Sequence, residues 1–359
     1  MDVKWLSSLP EAVGGFLKKM RGPAGYFKYS LSGDIYGPDV FWGLGNTVFA
    51  AKIIRTLDIQ AGFDLREMAV FIKKFQKPDG NIYDPLVIKK SALVNFINAI
   101  SRADTANIFG RQVIRAETRQ AFRALSLLGA KPDVPCREVP ADTEKIKKYL
   151  QGLDWTKPWA AGSHFNHLLF FLKYHRDNFG LNPAAVDEAI DFALKYLISL
   201  QSSQDGFWYR GSPTLQEKIN GAMKIILALK LVDRPAFRYA EKILDGCIEA
   251  ASNRQACDNL NVVVVLKYTN DLLEGRYRQA QIKDFCQQRL QVYAKHYYPE
   301  LGGFSFFLGK ANYNYYGARI TRGLNEPDIH ATALFLWGIS LLSRIGGLGL
   351  ETRTAELLP

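Results

Sequence analysis

The residues best suited to chemistry lie at the starts of six predicted helices. Each of these helices opens with polar or charged side chains and then becomes apolar. Imidazoles and carboxylates can move protons, whereas amides and basic groups can hold anions. The polar openings contain Asn46; Arg115 and Glu117; His164, Asn166 and His167; Glu217, Lys218 and Asn220; Asp258 and Asn261; and Asp328 and His330.

The helix starts themselves favour a bound anion. The first turn of a helix has free N–H groups, and the helix dipole places partial positive charge there. If these helices run in parallel, their starts gather at one mouth. Ordinary capping explains an Asp258 or an Asp328 taken alone, but a cap requires neither a histidine nor an arginine. We therefore expect a single pocket for an anionic substrate.

The segment around Asp328 is the strongest candidate for acid–base chemistry. Pro327 disfavours helix before it, which places Asp328 at or near the N-cap. The helix dipole stabilises a carboxylate there, so Asp328 suits a base or a partner of His330 better than a proton donor, unless burial outweighs the dipole. The predicted catalytic set is Asp328, His330, Asp258, Glu117 and His167.

The predicted substrate-binding set combines the other polar openings with aromatic residues. Residues 312–319 are rich in Asn and Tyr and precede the last helix, which is typical either of an aromatic flap over a pocket or of ordinary loop packing. The set is Asn46, Arg115, His164, Asn166, Glu217, Lys218, Asn220, Asn261, Trp208, Tyr316 and Arg319.

A recurring turn joins the helices that must carry these residues. In Gln201–Trp208, a helical pattern runs into the Gln, and a turn at Gly206 leads to the aromatic pair before the next helix. Gly supplies a positive φ, Gln can bond groups left free at helix ends, and Trp fills the gap between hairpins. Gln76–Tyr83 repeats the turn, and residues 298–304 and 21–27 are weaker copies, so we predict an array of helical hairpins.

These turns resemble the Gln-x(2–5)-Gly-x-Trp repeats of the terpenoid-cyclase and protein-prenyltransferase superfamily. The resemblance covers most of the chain as architecture, and Gln201–Trp208 carries the full repeat. It implies an all-α fold, a double-ring α/α toroid formed as one domain over residues 1–359, with 1–40 as an N-terminal segment. It also implies an enzyme acting on an isoprenoid or another amphipathic anion in a central cavity.

The resemblance also bears on metals. Asp328–Thr332 resembles the Asp-x-x-His-Thr run of prenyltransferase β subunits, in which the His binds zinc. The family's other ligands are an Asp and a Cys two residues apart, whereas Cys257 and Asp258 are adjacent and reversed, and adjacent residues diverge on a helix. The sequence lacks the Asp-x-Asp-Asp and Asp-Asp-x-x-Asp motifs of cyclases. We therefore predict no cofactor, with Mg²⁺ or Zn²⁺ as the alternative.

Two other functions remain open. The types of residue that α/α-toroid polysaccharide lyases use for β-elimination are present as Asn166, His167, Tyr315, Tyr316, Arg319 and Arg322. A carboxylate pair, Glu117 with Asp258 or Asp328, would instead suit a glycoside hydrolase. The second alternative is a toroid that binds a ligand without catalysis. An apolar, aromatic cavity would favour the isoprenoid, and an open cleft with stacked rings would favour a sugar.

Composition bounds the class of protein. The 359 residues are 48% hydrophobic, which suffices for a large core, and the net charge of +11 favours anionic partners. The charge is diffuse and no nucleic-acid-binding module is recognisable, so nucleic acid is not expected. We predict no transmembrane segment and no signal peptide. The four cysteines have neither metal nor disulfide spacing, so we expect a cytoplasmic protein.

Hydrophobic periodicity predicts helices and no strands. Val262–Val265 favours strand by propensity, but its flanks are helical and decide the assignment. Residues 155–162 are predicted to be a loop. The predicted helices are 9–20, 42–57, 65–75, 91–100, 115–128, 143–150, 164–174, 186–200, 217–231, 235–251, 258–268, 282–297 and 328–345.

Overall fold

The computed structural model describes residues 4–101, 111–137, 140, 142–251 and 255–346. This part of the chain is all-α, as predicted, with fourteen helices and four strands of two residues each. The helices are α1 (Lys4–Ser7), α2 (Leu9–Met20), α3 (Leu44–Leu57), α4 (Leu65–Lys73), α5 (Pro85–Ser101), α6 (Arg111–Leu127), α7 (Thr143–Gln151), α8 (Pro158–Phe179), α9 (Pro183–Leu200), α10 (Leu215–Leu231), α11 (Ala240–Glu249), α12 (Ala256–Leu272), α13 (Gln279–Ala294) and α14 (Ile329–Gly346). The strands are β1 (Tyr297–Tyr298), β2 (Gly303–Phe304), β3 (Asn314–Tyr315) and β4 (Ala318–Arg319).

Local sequence explains the clearest helix boundaries. Thr214 and Glu217 form a reciprocal capping box at the start of α10. Asn182 caps α9 through its side chain, and Pro183 follows at the first helical position. Gly180 ends α8 in the left-handed conformation, with a φ of 70°. The predicted starts of α9 and α10 lie within three residues of the observed ones, whereas the predicted end of α8 at 174 is five residues early.

Several expectations about secondary structure were wrong. Helix α5 begins at Pro85 and not at 91. Residues 155–162 are not all loop, because α8 already begins at Pro158 and proline is compatible with a first helical turn. Helix α11 begins at Ala240 and not at 235. The antiparallel pairs β1–β2 and β3–β4 occur where no strand was expected. The helical assignment of Val262–Val265 is confirmed, and all four valines are buried in α12.

Six helices contact one another in the order in which they occur along the chain. Helix α3 lies against α6, α6 against α8, α8 against α10, α10 against α12, α12 against α14, and α14 against α3. Other helices cover this set: α4 contacts α3, α9 contacts α8, α11 contacts α12, and α13 contacts α14. One cluster of buried apolar side chains extends along the chain from Leu6 to Leu342. The six helices are therefore packed on more than one side.

The two best copies of the recurring turn have the same hydrogen bonds. Gln201 Nε2 donates to the carbonyl of Gly206 and to that of Arg238, and Gln201 Oε1 accepts from the Arg238 N–H. Gln76 Nε2 donates to the carbonyls of Gly80 and Val134, and its Oε1 accepts from the backbone of Asp133. Each Gln thus closes its own turn and ties it to a later connection of the chain.

All four copies share one backbone form. An antiparallel bridge closes each turn, and a glycine with positive φ lies inside it. The bridges are Arg21 with Phe27, Gln76 with Ile82, Gln201 with Trp208, and Tyr297 with Phe304, and the glycines are Gly25, Gly80, Gly206 and Gly302. The weaker copies in the sequence are therefore the same structural element.

By length and composition, one described helix, α14, would be able to cross a membrane, although 67% of it is buried within the protein. Core helices of folded proteins meet the same criterion.

The glycine of the second turn allows a matched test of this element. Gly80 has a φ of +87°, and a Cβ there would lie 2.0 Å from the Pro135 carbonyl oxygen, whereas Gly129 has a φ of +73° and open space around it. We expect Gly129→Ala to cost about 1 to 2 kcal/mol of unfolding free energy from backbone strain alone. Gly80→Ala should cost about 1 to 3 kcal/mol more because of the clash. Urea unfolding measures both, and equal losses would contradict the close packing of this turn.

Candidate functional site

A cavity of about 530 Å³ is the centre of the candidate site. Its walls come from α3, α6, α8, α10, α12 and α14 and from the segment 306–316. The lining residues are Phe49, Lys52, Gln112, Val113, Ala116, Arg119, Gln120, Arg123, Leu127, Trp159, Ser163, His167, Met223, Lys224, Cys257, Leu260, Asn261, Phe306, Asn312, Asn314, Tyr315, Tyr316, His330, Ala333, Leu334 and Trp337.

Helical spacing explains why these residues share a cavity. On α14 the lining residues are His330, Ala333, Leu334 and Trp337, a pattern of i, i+3, i+4 and i+7 that marks one face of a helix. On the other helices the lining residues are likewise separated mainly by three or four positions. First-turn residues of α6, α8, α12 and α14 line the same cavity, so these helix starts lie close together.

Four basic side chains line the cavity, and none of the described lining residues is Asp or Glu. Burial, then the charge of Arg119, lowers the pKa of Lys52 to about 7 and that of Lys224 to about 8. Burial also lowers the pKa of Arg119 to about 10 and that of Arg123. The wall therefore brings basic groups into a partly apolar space whose described lining contains no carboxylate, which favours an anion.

A hydrogen-bond chain fixes the proton on His330. The Asn314 N–H donates to Asn312 Oδ1, so the Asn312 amide nitrogen faces Tyr29, and it donates to the Tyr29 hydroxyl over 2.9 Å. The other described partner of that hydroxyl is His330 Nδ1, 3.0 Å away, and the hydroxyl has one proton to donate to it. With Nδ1 as the acceptor, the neutral ring carries its proton on Nε2. His330 also stacks on Phe49, with ring centroids 4.2 Å apart.

Both cavity histidines are held in the neutral form. Burial and the charges of Lys52 and Lys224 lower the pKa of His330 to about 3. Burial and Arg119 lower the pKa of His167 well below its ordinary value. His167 Nδ1 is buried, and no described group makes a hydrogen bond to it. At neutral pH these rings can donate or accept hydrogen bonds, but they do not add charge.

Asp328 does not line the cavity. Its carboxylate is fully buried and accepts hydrogen bonds from the backbone N–H groups of Phe306, Asn312 and Ala331, at 2.8 to 3.0 Å. It therefore holds the start of α14 against the segment 306–312, and the expected position at the N-cap is confirmed. Burial outweighs these bonds and raises the pKa of Asp328 to about 7.

Asp258 and Glu117 also lie behind the lining residues. Asp258 accepts from Asn220 and Gln255, and Asn220 Oδ1 accepts from the Asn261 amide over 2.9 Å. Of these four, only Asn261 lines the cavity. Glu117 Oε2 accepts from the Asp84 N–H, and burial, followed by the charge of that Asp, raises the pKa of Glu117 well above its usual range. Neither carboxylate faces the cavity.

The structure brings together a minority of the predicted site residues. His330, His167, Asn261 and Tyr316 line the cavity. The others do not line it. Asn46 donates to the Phe27 carbonyl, Asn166 donates to the Lys224 carbonyl, and Arg115 and His164 both contact Tyr149. Glu217 belongs to the capping box of α10, Lys218 pairs with Asp205, Trp208 is buried in its turn beside Phe237, and Arg319 is exposed in β4.

The cationic cavity residues were missed because they lie in the middle of helices. Lys52 follows two alanines, and Lys224 follows Ala222 and Met223; an Ile pair comes after each lysine. A single lysine in an otherwise buried helix was the available signal, since an unpaired lysine is seldom placed in a core. Arg119 and Arg123 are four residues apart on α6 and so share a face.

A metal site has no support from the described residues, in which no three His, Cys, Asp or Glu side chains cluster closely enough to hold an ion. Burial raises the pKa of the Cys257 thiol to about 12, and a protonated thiol is a poor metal ligand.

Comparison of the chain with models of known protein families gave no match, and comparison with curated proteins gave none. The function must therefore be inferred from the cavity.

The pKa of Lys52 predicts a pH-dependent stability. Because burial lowers it from 10.5 to about 7, the unfolded chain binds more protons than the folded chain between these pH values. Stability therefore rises with pH across this window, and this contribution is lost as pH falls through about 7. Replacing Lys52 by Met should stabilise the protein most below pH 7, and the gain should shrink by up to about 1.4 kcal/mol per pH unit above it.

Urea unfolding of both proteins from about pH 6 to pH 10 measures this difference. The same change at the exposed Lys195 of α9 is the control, because burial does not penalise its charge. A pH-independent difference between wild type and Lys52→Met would show that the amine is well solvated in the cavity.

Proposed function

We propose that the protein is an enzyme of the terpenoid-cyclase and prenyltransferase type, built as an α/α toroid, that binds an isoprenoid or another amphipathic anion in its cavity. The order of helix neighbours supports the toroid: each of α3, α6, α8, α10, α12 and α14 contacts the next, and the last contacts the first. The helices α4, α9, α11 and α13 would form the outer layer.

The observation that carries the proposal is the pairing of cations and aromatic rings around one cavity whose described lining contains no carboxylate. Arg119 and Arg123 offer charge and directed N–H donors to an anionic head group. The rings of Trp159, Phe306 and Trp337 offer apolar surface to a chain. A volume of about 530 Å³ is in the range of sites for small organic ligands.

The same groups suit the chemistry of an isoprenoid diphosphate. When the bond between the allylic carbon and the diphosphate oxygen breaks, negative charge grows on the leaving group, and the guanidinium groups would stabilise it. Aromatic faces would stabilise the carbocation left behind. The neutral His167, whose buried Nδ1 has no described hydrogen-bond partner, would be available to accept a proton from that cation. The exchange needs no carboxylate in the wall.

The carbohydrate alternatives receive less support from this geometry. Glu117, Asp258 and Asp328 lie behind the cavity wall, so no carboxylate pair faces a common space there. His167 and Tyr316 line the cavity, whereas Arg319, expected to neutralise a uronate, is exposed in β4. A toroid that binds a ligand without catalysis differs from the proposed enzyme only in turnover.

We expect the protein to bind farnesyl diphosphate and to convert it to products, without comparable binding of a uronate oligosaccharide. Arg119→Gln should weaken binding of the diphosphate by about tenfold or more, which is the loss of one charge-assisted contact. Lys195→Gln, at an exposed position on α9, is the matched control and should bind as wild type does. Isothermal titration and product analysis give both readouts.

Each outcome is informative. Binding without turnover would support the non-catalytic alternative, and preferential binding of the oligosaccharide would favour the carbohydrate function. Equal affinity of wild type and Arg119→Gln would contradict the assignment of the head group to the cationic wall.

A further inference from the structure

Lys52 and Lys224 occupy equivalent places in the sequences of two helices that line the cavity, α3 and α10. Lys52 lies within 50–54 of α3 and Lys224 within 222–226 of α10, and both segments read small or apolar, then lysine, then two isoleucines. Both side chains line the cavity, while the flanking residues are buried. The two amines are therefore the polar exceptions on otherwise apolar helix segments.

Lys52 is held by neutral partners. Its Nζ donates to Gln120 Oε1 over 3.0 Å, and Gln120 Nε2 donates to the Tyr316 hydroxyl over 2.9 Å. No described carboxylate forms an ion pair with Lys52. The hydrogen bond to a single amide oxygen orients the amine, and the rest of the nitrogen can face other groups. No described anion stabilises the ammonium form.

Positive neighbours give Lys52 and Arg119 different protonation states near neutral pH. Arg119, Lys224 and Arg123, in that order after burial itself, lower the pKa of Lys52 to about 7, so near neutral pH a large fraction of this amine has a free electron pair. The pKa of Arg119 stays at about 10, and its guanidinium remains charged. The arginines can therefore hold an anion while the lysine acts as a neutral amine, and desolvation among cations is a known way to activate lysine.

We propose that Lys52 is an amine nucleophile that forms an imine with the carbonyl group of an amphipathic oxo-acid bound in the cavity. The inference deepens the proposed function and rests on it, because Arg119 and Arg123 orient the anionic end. The amine nitrogen attacks the carbonyl carbon and a C–N bond forms. The C–O bond then breaks, and the oxygen leaves as water with two protons that come from the amine. No oxidant or reductant is consumed.

The test uses 12-oxododecanoic acid, an apolar chain with an aldehyde at one end and a carboxylate at the other. Sodium borohydride reduces any imine to a stable secondary amine, and peptide mapping by mass spectrometry locates it. We expect Lys52 to be labelled at least about tenfold faster than exposed lysines near neutral pH, where an ordinary amine is almost wholly protonated. The labelling rate should rise with pH and level off above about pH 7.

One variant tests whether the adduct requires Lys52, and a second variant is its control. Lys52→Arg keeps a cation but has no amine that can form this imine, so the adduct should be lost, whereas Lys195→Arg should keep it. If Lys52→Arg does not fold, the wild-type peptide map and pH profile decide the question alone. An adduct on Lys224 in place of Lys52, or labelling of Lys52 no faster than that of surface lysines, would overturn the assignment.

Parallel titration with dodecanoate and farnesyl diphosphate separates this inference from the function on which it rests. Binding of either anion without a Lys52 adduct would overturn the nucleophile and leave the proposed function standing. A protein that binds neither anion and forms no adduct would contradict both. An adduct at Lys52 without anion binding would support the nucleophile and contradict the orienting role of the arginines.

Discussion

The site depends on one constraint, the burial of positive charge that has no carboxylate partner among the described residues. Lys52, Arg119 and Lys224 line one cavity, and after burial itself the charge of Arg119 lowers the pKa of both lysines. Such repulsion destabilises the folded state, and the long apolar cluster of the helices must offset it. An anion that enters the cavity would relieve the repulsion, so ligand binding and stability are linked through the same side chains.

A second constraint comes from one buried carboxylate. Asp328 pairs in a backbone bridge with Ser30, caps α14 and accepts from the segment 306–312. The adjacent Ile329 N–H donates to the Tyr29 carbonyl, and the Tyr29 hydroxyl sets the tautomer of His330. Asp328 therefore acts on the cavity through geometry, because it holds together the backbone segments that carry Tyr29, Asn312 and His330.

The helices were predictable from sequence because their signals are local. Caps, glycine stops and apolar periodicity located most boundaries, and the Gln201–Trp208 repeat correctly indicated a closed turn between two helices. The site was only partly predictable. Polar openings identified His330 and Asn261, but Asp258 and Asn220 bond to each other behind the wall. Which polar residue faces inward depends on helix rotation and on partners distant in sequence, and a single chain does not encode these in a local pattern.

The bond between Tyr29 and His330 joins residues that are 301 positions apart. During synthesis, Tyr29 leaves the ribosome long before His330 is made. The intervening hairpins can form from short-range contacts as they emerge, whereas the histidine reaches its final tautomer only when the two ends of the chain meet. A truncated or stalled chain would therefore lack the contact between Tyr29 and His330, which positions one of the cavity-lining side chains.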